Sequence, residues 1–421
     1  MAHRLGVIAD DFTGATDIAG FMVENGWRVT QLIGHGPADV PAEVDAVVIS
    51  LKSRSCPAEQ AVADSLAALA RLQDLGCDRF FFKYCSTFDS TAEGNIGPVT
   101  DALLAALDQE FTVICPALPV NGRTVCHGNL FVNGVPLNES GMKDHPITPM
   151  KDANLLRLMA AQAKGLPGLV DYQVVLAGAD AVKAKLTALT ADGVNYAVLD
   201  TLTMSDLTVL GEAVSDLPLV TGGSGLGAGL ACYTTAGQGA KHARALGAPA
   251  AAGRALVLSG SCSLMTNAQV AAYQQQAPHR QVEVASCLED PQAYAIELAD
   301  WVLDQPASPA PMLYATQAPE QLAQIQARYG VARASEAVEG VFARVAARLA
   351  EQGFTKFIVA GGETSGIVTQ ALGVSGFNIG PQIAPGVPWV RALDKPLSLA
   401  LKSGNFGDEQ FFAKAQEFYH D

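Results

Sequence analysis

Nowhere in the sequence is there a CxxC pair, a cluster with metal-ligand spacing, or an apolar run of about 18 residues. The last absence excludes a membrane span. The eight cysteines, at 56, 77, 85, 115, 126, 232, 262 and 287, are scattered, and several lie inside apolar runs such as FTVICPAL. They read as reduced core thiols. The start, MAHRLGVIADD, has neither the apolar stretch nor the cleavage site of a secretory signal, so the expected location is the cytoplasm. Basic residues are also scarce, 27 against 42 acidic ones, and the net charge is -15. That balance works against a broad polyanion-binding surface, and nucleic acid is not an expected partner. A small anion remains possible, because local cations and backbone amides can hold one against the overall field. With no GxxxxGK[ST], the chain is not a P-loop enzyme. Gly225, Gly227 and Gly229 have the wrong spacing and context for a dinucleotide fingerprint, which argues against an NAD-linked dehydrogenase.

What is present is a hydrophobic, weakly charged chain of 421 residues, with 49% hydrophobic and 16% charged residues. That length exceeds one comfortable core and predicts two domains. Short apolar runs alternate with helix-patterned stretches: LGVIA, VTQLIG, AVVISL, RFFFKY, FTVICPA, YQVVLAG, NYAVLDTL and LPLVTGGSG read as strands of an α/β domain. Within it, LFVNGVPL carries an Asn-Gly between apolar residues and predicts a β-hairpin over a site. Residues 237–253, rich in Gly and Ala, mark the boundary. A second series follows: ALVLSG, QVEVAS, MLYAT and FIVAGG as strands, with two more in WVRALDKPLSLALK. The expected fold is α/β, with two domains (1–240 and 254–421). Each has a largely parallel sheet flanked by helices, and the active site lies in the interdomain cleft.

The chemistry-bearing residues sit at strand ends. IADDFTGATD places Asp10 and Asp11 between a strand and a helix, where carboxylates can orient hydroxyls, act as a base or hold Mg²⁺; a simple helix cap is the bland alternative. LKSRSC ends another strand with Arg54, suited to gripping a carboxylate, with a surface salt bridge as the bland alternative. In FFFKYCSTFDST, Lys83 interrupts an apolar strand, which is costly without an anionic partner. Cys85 lacks a neighbouring His to activate it and reads as a core thiol. Together these ends suit a hydroxylated carboxylate. His127 and His145 lie nearby in sequence; either could serve as an acid or base, with a structural role as the alternative. TGGSGLGAGLA has the glycine content of a phosphate loop or of tight packing. In the second half, SGSCS, GGETS and KSGNFG each follow a strand, and their small residues admit phosphate oxygens to backbone amides. Glu363 there could help hold Mg²⁺, with a water contact or a helix cap as the alternative.

These segments resemble the four-carbon acid sugar kinases. LGVIADDFTGATD, VVISLKSRSCPA, FFKYCSTFDSTAEGNIGPVTDAL, CPALPVNGRTV, SGSCS, AGGETSG and KSGNFG carry the likeness, which covers nearly the whole chain and is similar in wording to the 3-oxo-tetronate branch. The resemblance implies an N-terminal substrate domain, a C-terminal nucleotide domain, and transfer of ATP's γ-phosphoryl to the 4-hydroxyl of the sugar acid. D-threonate and D-erythronate are the alternative acceptors. It implies substrate contacts at Asp11, Arg54, Lys83, Tyr84, Cys85 and Ser86, and ATP contacts at Ser259, Gly361, Gly362, Glu363, Thr364 and Gly404. The mechanism we expect from the residues makes Asp10 or Asp11 the group that orients or deprotonates the hydroxyl. Lys83 then stabilises oxygens of the substrate or phosphate, and Mg²⁺ accompanies ATP through ligands left open. The expected assembly is a homodimer.

Overall fold

A computed structural model of the chain describes residues 3–36, 38–145, 148–235, 247–249 and 252–418. It divides into two compact units, Met1–Ala243 and Arg244–Asp421. The expected linker, residues 237–253, lies for the most part outside the described residues. Both units are α/β, and no helix among the described residues is long and apolar enough to cross a membrane.

The first unit begins with strands β1 (Leu5–Ala9), β2 (Val29–Ile33), β3 (Ala46–Ser50), β4 (Arg79–Lys83) and β5 (Thr112–Cys115). Three short strands follow, β6 (Arg123–Cys126), β7 (Asn129–Val132) and β8 (Val135–Pro136), then β9 (Leu166–Val170), β10 (Val194–Leu199) and β11 (Leu219–Gly222). All except β6 to β8 form a parallel array in the order β2-β3-β1-β4-β11-β5-β10-β9. β1 and β3 are buried along their whole length, as happens when helices cover both faces of a parallel sheet. From β1 the chain builds β2 and β3 on one side, then places β4 on the other. The strand order therefore reverses between β1 and β4, and such a switch point opens a crevice at the carboxyl ends of the strands. The register pairs Ala9 with both Ser50 and Lys83, so the segments after β1, β3 and β4 emerge along one edge.

β6, β7 and β8 form a separate antiparallel sheet, and the β7–β8 turn is the predicted Asn133-Gly134, both left-handed at φ 52° and 80°. YQVVLAG is not a strand. Tyr172–Leu176 is helical because the Asp171 side chain caps it, accepting from the amides of Gln173 and Val174. The strand in that place is β9, from GLPGLV. The glycines of TGGSGLGAGLA serve packing: a Cβ on Gly222 would collide with the Cys115 carbonyl, and one on Gly229 with the Leu207 carbonyl.

The second unit contains β12 (Arg254–Ser259), β13 (His279–Gln281), β14 (Met312–Tyr314), β15 (Phe354–Ala360), β16 (Gly376–Ala384), β17 (Val387–Ala392) and β18 (Ser398–Lys402). Their order is β13-β14-β12-β15-β18-β17-β16, with β17 antiparallel to both of its neighbours, β18 and β16, and the other pairs parallel. The expected strand QVEVAS is instead the end of β13 followed by a helix, Val284–Glu289. Here the order reverses between β12 and β15, so the loops after those two strands flank a second switch point.

Candidate active site

At the first switch point, Asp10 follows β1 and is 6% exposed. Its backbone carbonyl accepts the amides of Ser53 and Arg54, which pulls the loop after β3 against it. The Arg54 guanidinium then grips Asp10 with both oxygens, Nε to Oδ2 at 3.0 Å and Nη2 to Oδ1 at 2.9 Å, and reaches Asp11 Oδ1 at 2.7 Å. Burial pushes the Asp10 carboxyl up, and Arg54 opposes that rise. Burial works hardest against the charge on Arg54, but Asp10, with help from Cys85 and Asp11, raises the guanidinium above its ordinary value. Asp11 additionally caps the helix Phe12–Glu24, accepting from the Gly14 amide at 2.8 Å. Both readings of Asp11, cap and site carboxylate, therefore hold at once.

Lys83, the last residue of β4, is 3% exposed and donates to the Tyr84 carbonyl at 2.8 Å. A Cβ on Gly14 would lie 3.1 Å from the Lys83 ammonium, so glycine there leaves Lys83 its room. Tyr84 itself turns into the core: its ring is fully buried, edge-on to Phe82 and Phe88, and its hydroxyl meets Thr221 Oγ1 at 2.9 Å. In this arrangement its side chain is a packing group. Cys85 Sγ lies 2.8 Å from Thr87 Oγ1, which donates to Asp89 at 2.6 Å. Burial and then Asp89 push the Cys85 thiol up, away from thiolate chemistry. Ser86 sits half-buried in the turn after β4. His127 gives its backbone amide to Asp200, and the His145 ring accepts the Thr148 amide at 3.1 Å, so both take part in structural contacts.

Two residues here were passed over in the sequence reading. Asn95 donates to the carbonyls of Ser53 at 2.7 Å, Arg54 at 3.3 Å and Cys56 at 2.9 Å, pinning the loop that carries Arg54. Asp17 accepts from Ser224 Oγ, while its other oxygen is buried without a hydrogen-bond partner among the described residues. Burial raises its carboxyl, with the Lys83 charge pulling the other way. Asp17 lies inside the IADDFTGATD segment, and a carboxylate in a helix whose other charged residue, Glu24, comes only at its end was the available signal.

In the second unit the three glycine loops come together. Gly260 and Ser261 donate their amides to the Ala360 carbonyl, and Gly361 donates to the Lys402 carbonyl at 2.8 Å. A Cβ on Gly260 would collide with Thr364 Oγ1, and one on Gly404 would lie 2.9 Å from Ser261 Oγ. Gly361 has φ 126°, a conformation that favours glycine, and opens the helix Gly362–Ala371. The amides of Gly362, Glu363 and Thr364 fall in its first turn, where the helix offers no acceptor, and point their dipoles at a prospective anion. Ser259 is buried, its hydroxyl 2.7 Å from Thr316 Oγ1, so its side chain braces the loop from beneath. Lys402 is fully buried under the same loops. Its signal, a lysine closing the apolar run LSLAL, is the one that marks Lys83.

No group of three His, Cys, Asp or Glu among the described residues could hold a metal ion. Asp10 and Asp11 are occupied by Arg54, whereas Glu363 is exposed beside the glycine loops. This donor set fits Mg²⁺ only as a companion of a nucleotide, with Glu363 the residue that would help hold it.

The chain matches a sugar-binding N-terminal domain over residues 5–230 and a nucleotide-binding C-terminal domain over residues 256–412. A Brucella melitensis protein named 3-oxo-tetronate kinase is 59% identical, covering 98% of this chain and 95% of the relative. A protein of the same name from Pectobacterium atrosepticum is 60% identical, covering 98% of this chain and 99% of its own. Among solved structures, a Salmonella typhimurium protein carrying a provisional tRNA synthase description superposes with a TM-score of 0.93 at 59% identity, covering 98% of both chains. A Haemophilus influenzae protein superposes with a TM-score of 0.90 at 55% identity, over 98% of this chain and 100% of its own.

Proposed function

Because this chain belongs to the four-carbon acid sugar kinase family, we propose that it phosphorylates the 4-hydroxyl of 3-oxo-tetronate at the expense of ATP. The observation that carries the reading is near-complete coverage by relatives of that name at 59% and 60% identity. The site geometry supports it. A polar crevice with two cations, Arg54 and Lys83, suits a small hydroxylated anion, and the glycine loops of the second unit suit a chain of phosphates. A tRNA-ligating activity is disfavoured by the net charge of -15, which repels a long polyanion.

Phosphoryl transfer depends on positioning and charge neutralisation more than on covalent chemistry. Nη1 of Arg54 has no protein partner among the described residues and is the edge offered to the substrate carboxylate. Lys83 supplies positive charge to the oxygens of the bound acid. In this reading Asp11 orients the hydroxyl and takes its proton, a role supported by its being held by Arg54 and by the helix it caps. The amides of Gly362, Glu363 and Thr364, with the Gly404 loop, hold the nucleotide phosphates. A metal ion bound with the nucleotide neutralises phosphate charge. Incubation with ATP and Mg²⁺ across 3-oxo-tetronate, D-threonate and D-erythronate, followed by identification of the phosphate ester, tests the proposal. Absence of an acid 4-phosphate with every acceptor contradicts it.

A further inference from the structure

Lys402 is 0% exposed, and no carboxylate lies within ion-pair reach of it among the described residues. Its ammonium nitrogen meets three oxygens: Gly404 O at 2.7 Å, Ser403 O at 3.0 Å and Thr266 Oγ1 at 3.1 Å. The Thr266 hydroxyl gives its own hydrogen to Gly404 O at 2.7 Å, so it can only accept from Lys402. Three acceptors require three N–H groups, which only the protonated amine has. The tripod thus fits the cation, while burial without a counter-ion disfavours it. The two demands leave the amine poised, and burial brings it down to about 7.

Charged groups on the surrounding elements do not relieve this. The helix Leu264–Gln274 has none, and Glu363 on Gly362–Ala371 is exposed. In the segment after β18, Asp408 is paired with Lys414 and Glu409 is exposed. On β15, Lys356 lies at the far end and donates to Gly253 O. On β17, Arg391 is exposed opposite Ser398. Yet Lys402 joins the three glycine loops: its carbonyl accepts from Gly361, its ammonium holds Ser403 and Gly404, and Thr266 links it to Ser263.

We propose that Lys402 is a positioning residue that takes up a proton when a nucleotide's phosphates bind above it, locking the three loops around them. The inference rests on the reading of these loops as the nucleotide site. The phosphates supply the missing negative charge, the ammonium form becomes favoured, and all three oxygens are then satisfied.

Calorimetry of ADP with Mg²⁺ tests this at pH 8, above the last phosphate ionisation at about 6. Buffers matched in pH but differing in ionisation enthalpy report the protons taken up. The wild type is expected to take up close to one proton, and its affinity to fall about tenfold or more from pH 7 to pH 9. Lys402→Arg, permanently charged, is expected to bind with no uptake and a flat profile. Lys402→Met is expected to bind more weakly, also without uptake. Binding by the wild type without uptake, or equal uptake in Lys402→Arg, overturns the inference while leaving the nucleotide site standing. Failure of the wild type to bind any nucleotide sinks the nucleotide-site reading and the inference with it.

Discussion

Arg54 holds Asp10 through two parallel hydrogen bonds, 2.9 and 3.0 Å long, with the Asp10 side chain 8% exposed and that of Arg54 27%. Removing one partner of such a buried pair strands the other. Asp10→Asn is expected to lower stability by about 3 kcal/mol, measured by denaturant unfolding. An unchanged midpoint would show that the pair does not stabilise the fold.

Asp11 is more accessible, and in the proposed mechanism its loss is mainly chemical. Asp11→Asn is expected to cost about 1 kcal/mol of stability through the weakened cap, but about 10²-fold or more in kcat. Near-normal turnover in a folded variant removes Asp11 from the chemistry.

Asn95 touches the loop of Arg54 from outside the crevice. Asn95→Ala leaves three carbonyls with one donor fewer and is expected to cost about 1–3 kcal/mol in the loop's order. The KM for the sugar acid should rise while the KM for ATP stays within about twofold, a split that steady-state kinetics resolves.

Cys85 is the control. Because burial pushes its thiol up, Cys85→Ser is expected to keep kcat within a few-fold, and Cys85 in the wild type to resist alkylation at pH 8. Rapid alkylation that abolishes turnover would assign it a direct role.

The depressed amine of Lys402 also sets a sign for stability. Between about 7 in the folded state and the ordinary 10.5 in the unfolded state, the unfolded chain carries more protons. Its contribution to stability therefore rises with pH across that window and is smallest below it. Lys402→Met should flatten this part of the pH–stability curve, read as unfolding midpoints in buffers from pH 7 to 10.

Much of this was legible because strand-end chemistry is local. An apolar run closing on Asp10, Arg54 or Lys83 announces itself in sequence, and the strand order then gathers the three at one edge. The glycine loops at 259–263, 361–365 and 402–407 were legible for the same reason. What escaped depends on distance in sequence. Asn95 works through carbonyls some 40 positions away, and the Asp17 contact with Ser224 spans 207. Arg54 reads from sequence either as a grip for a carboxylate or as half of a surface salt bridge; its fork is filled mostly by Asp10 and Asp11, a largely buried pairing that the β1–β3 register creates. YQVVLAG failed because its apolar run is too short for periodicity to tell strand from helix, and the Asp171 cap decided it.

The most direct measurement is the position and rate of phosphorylation when purified protein meets ATP, Mg²⁺ and each four-carbon acid separately. Stoichiometric ADP and 3-oxo-tetronate 4-phosphate, formed faster than the threonate or erythronate esters, is the expected result. ADP release without any phosphorylated acid, or no turnover on all three, contradicts the account.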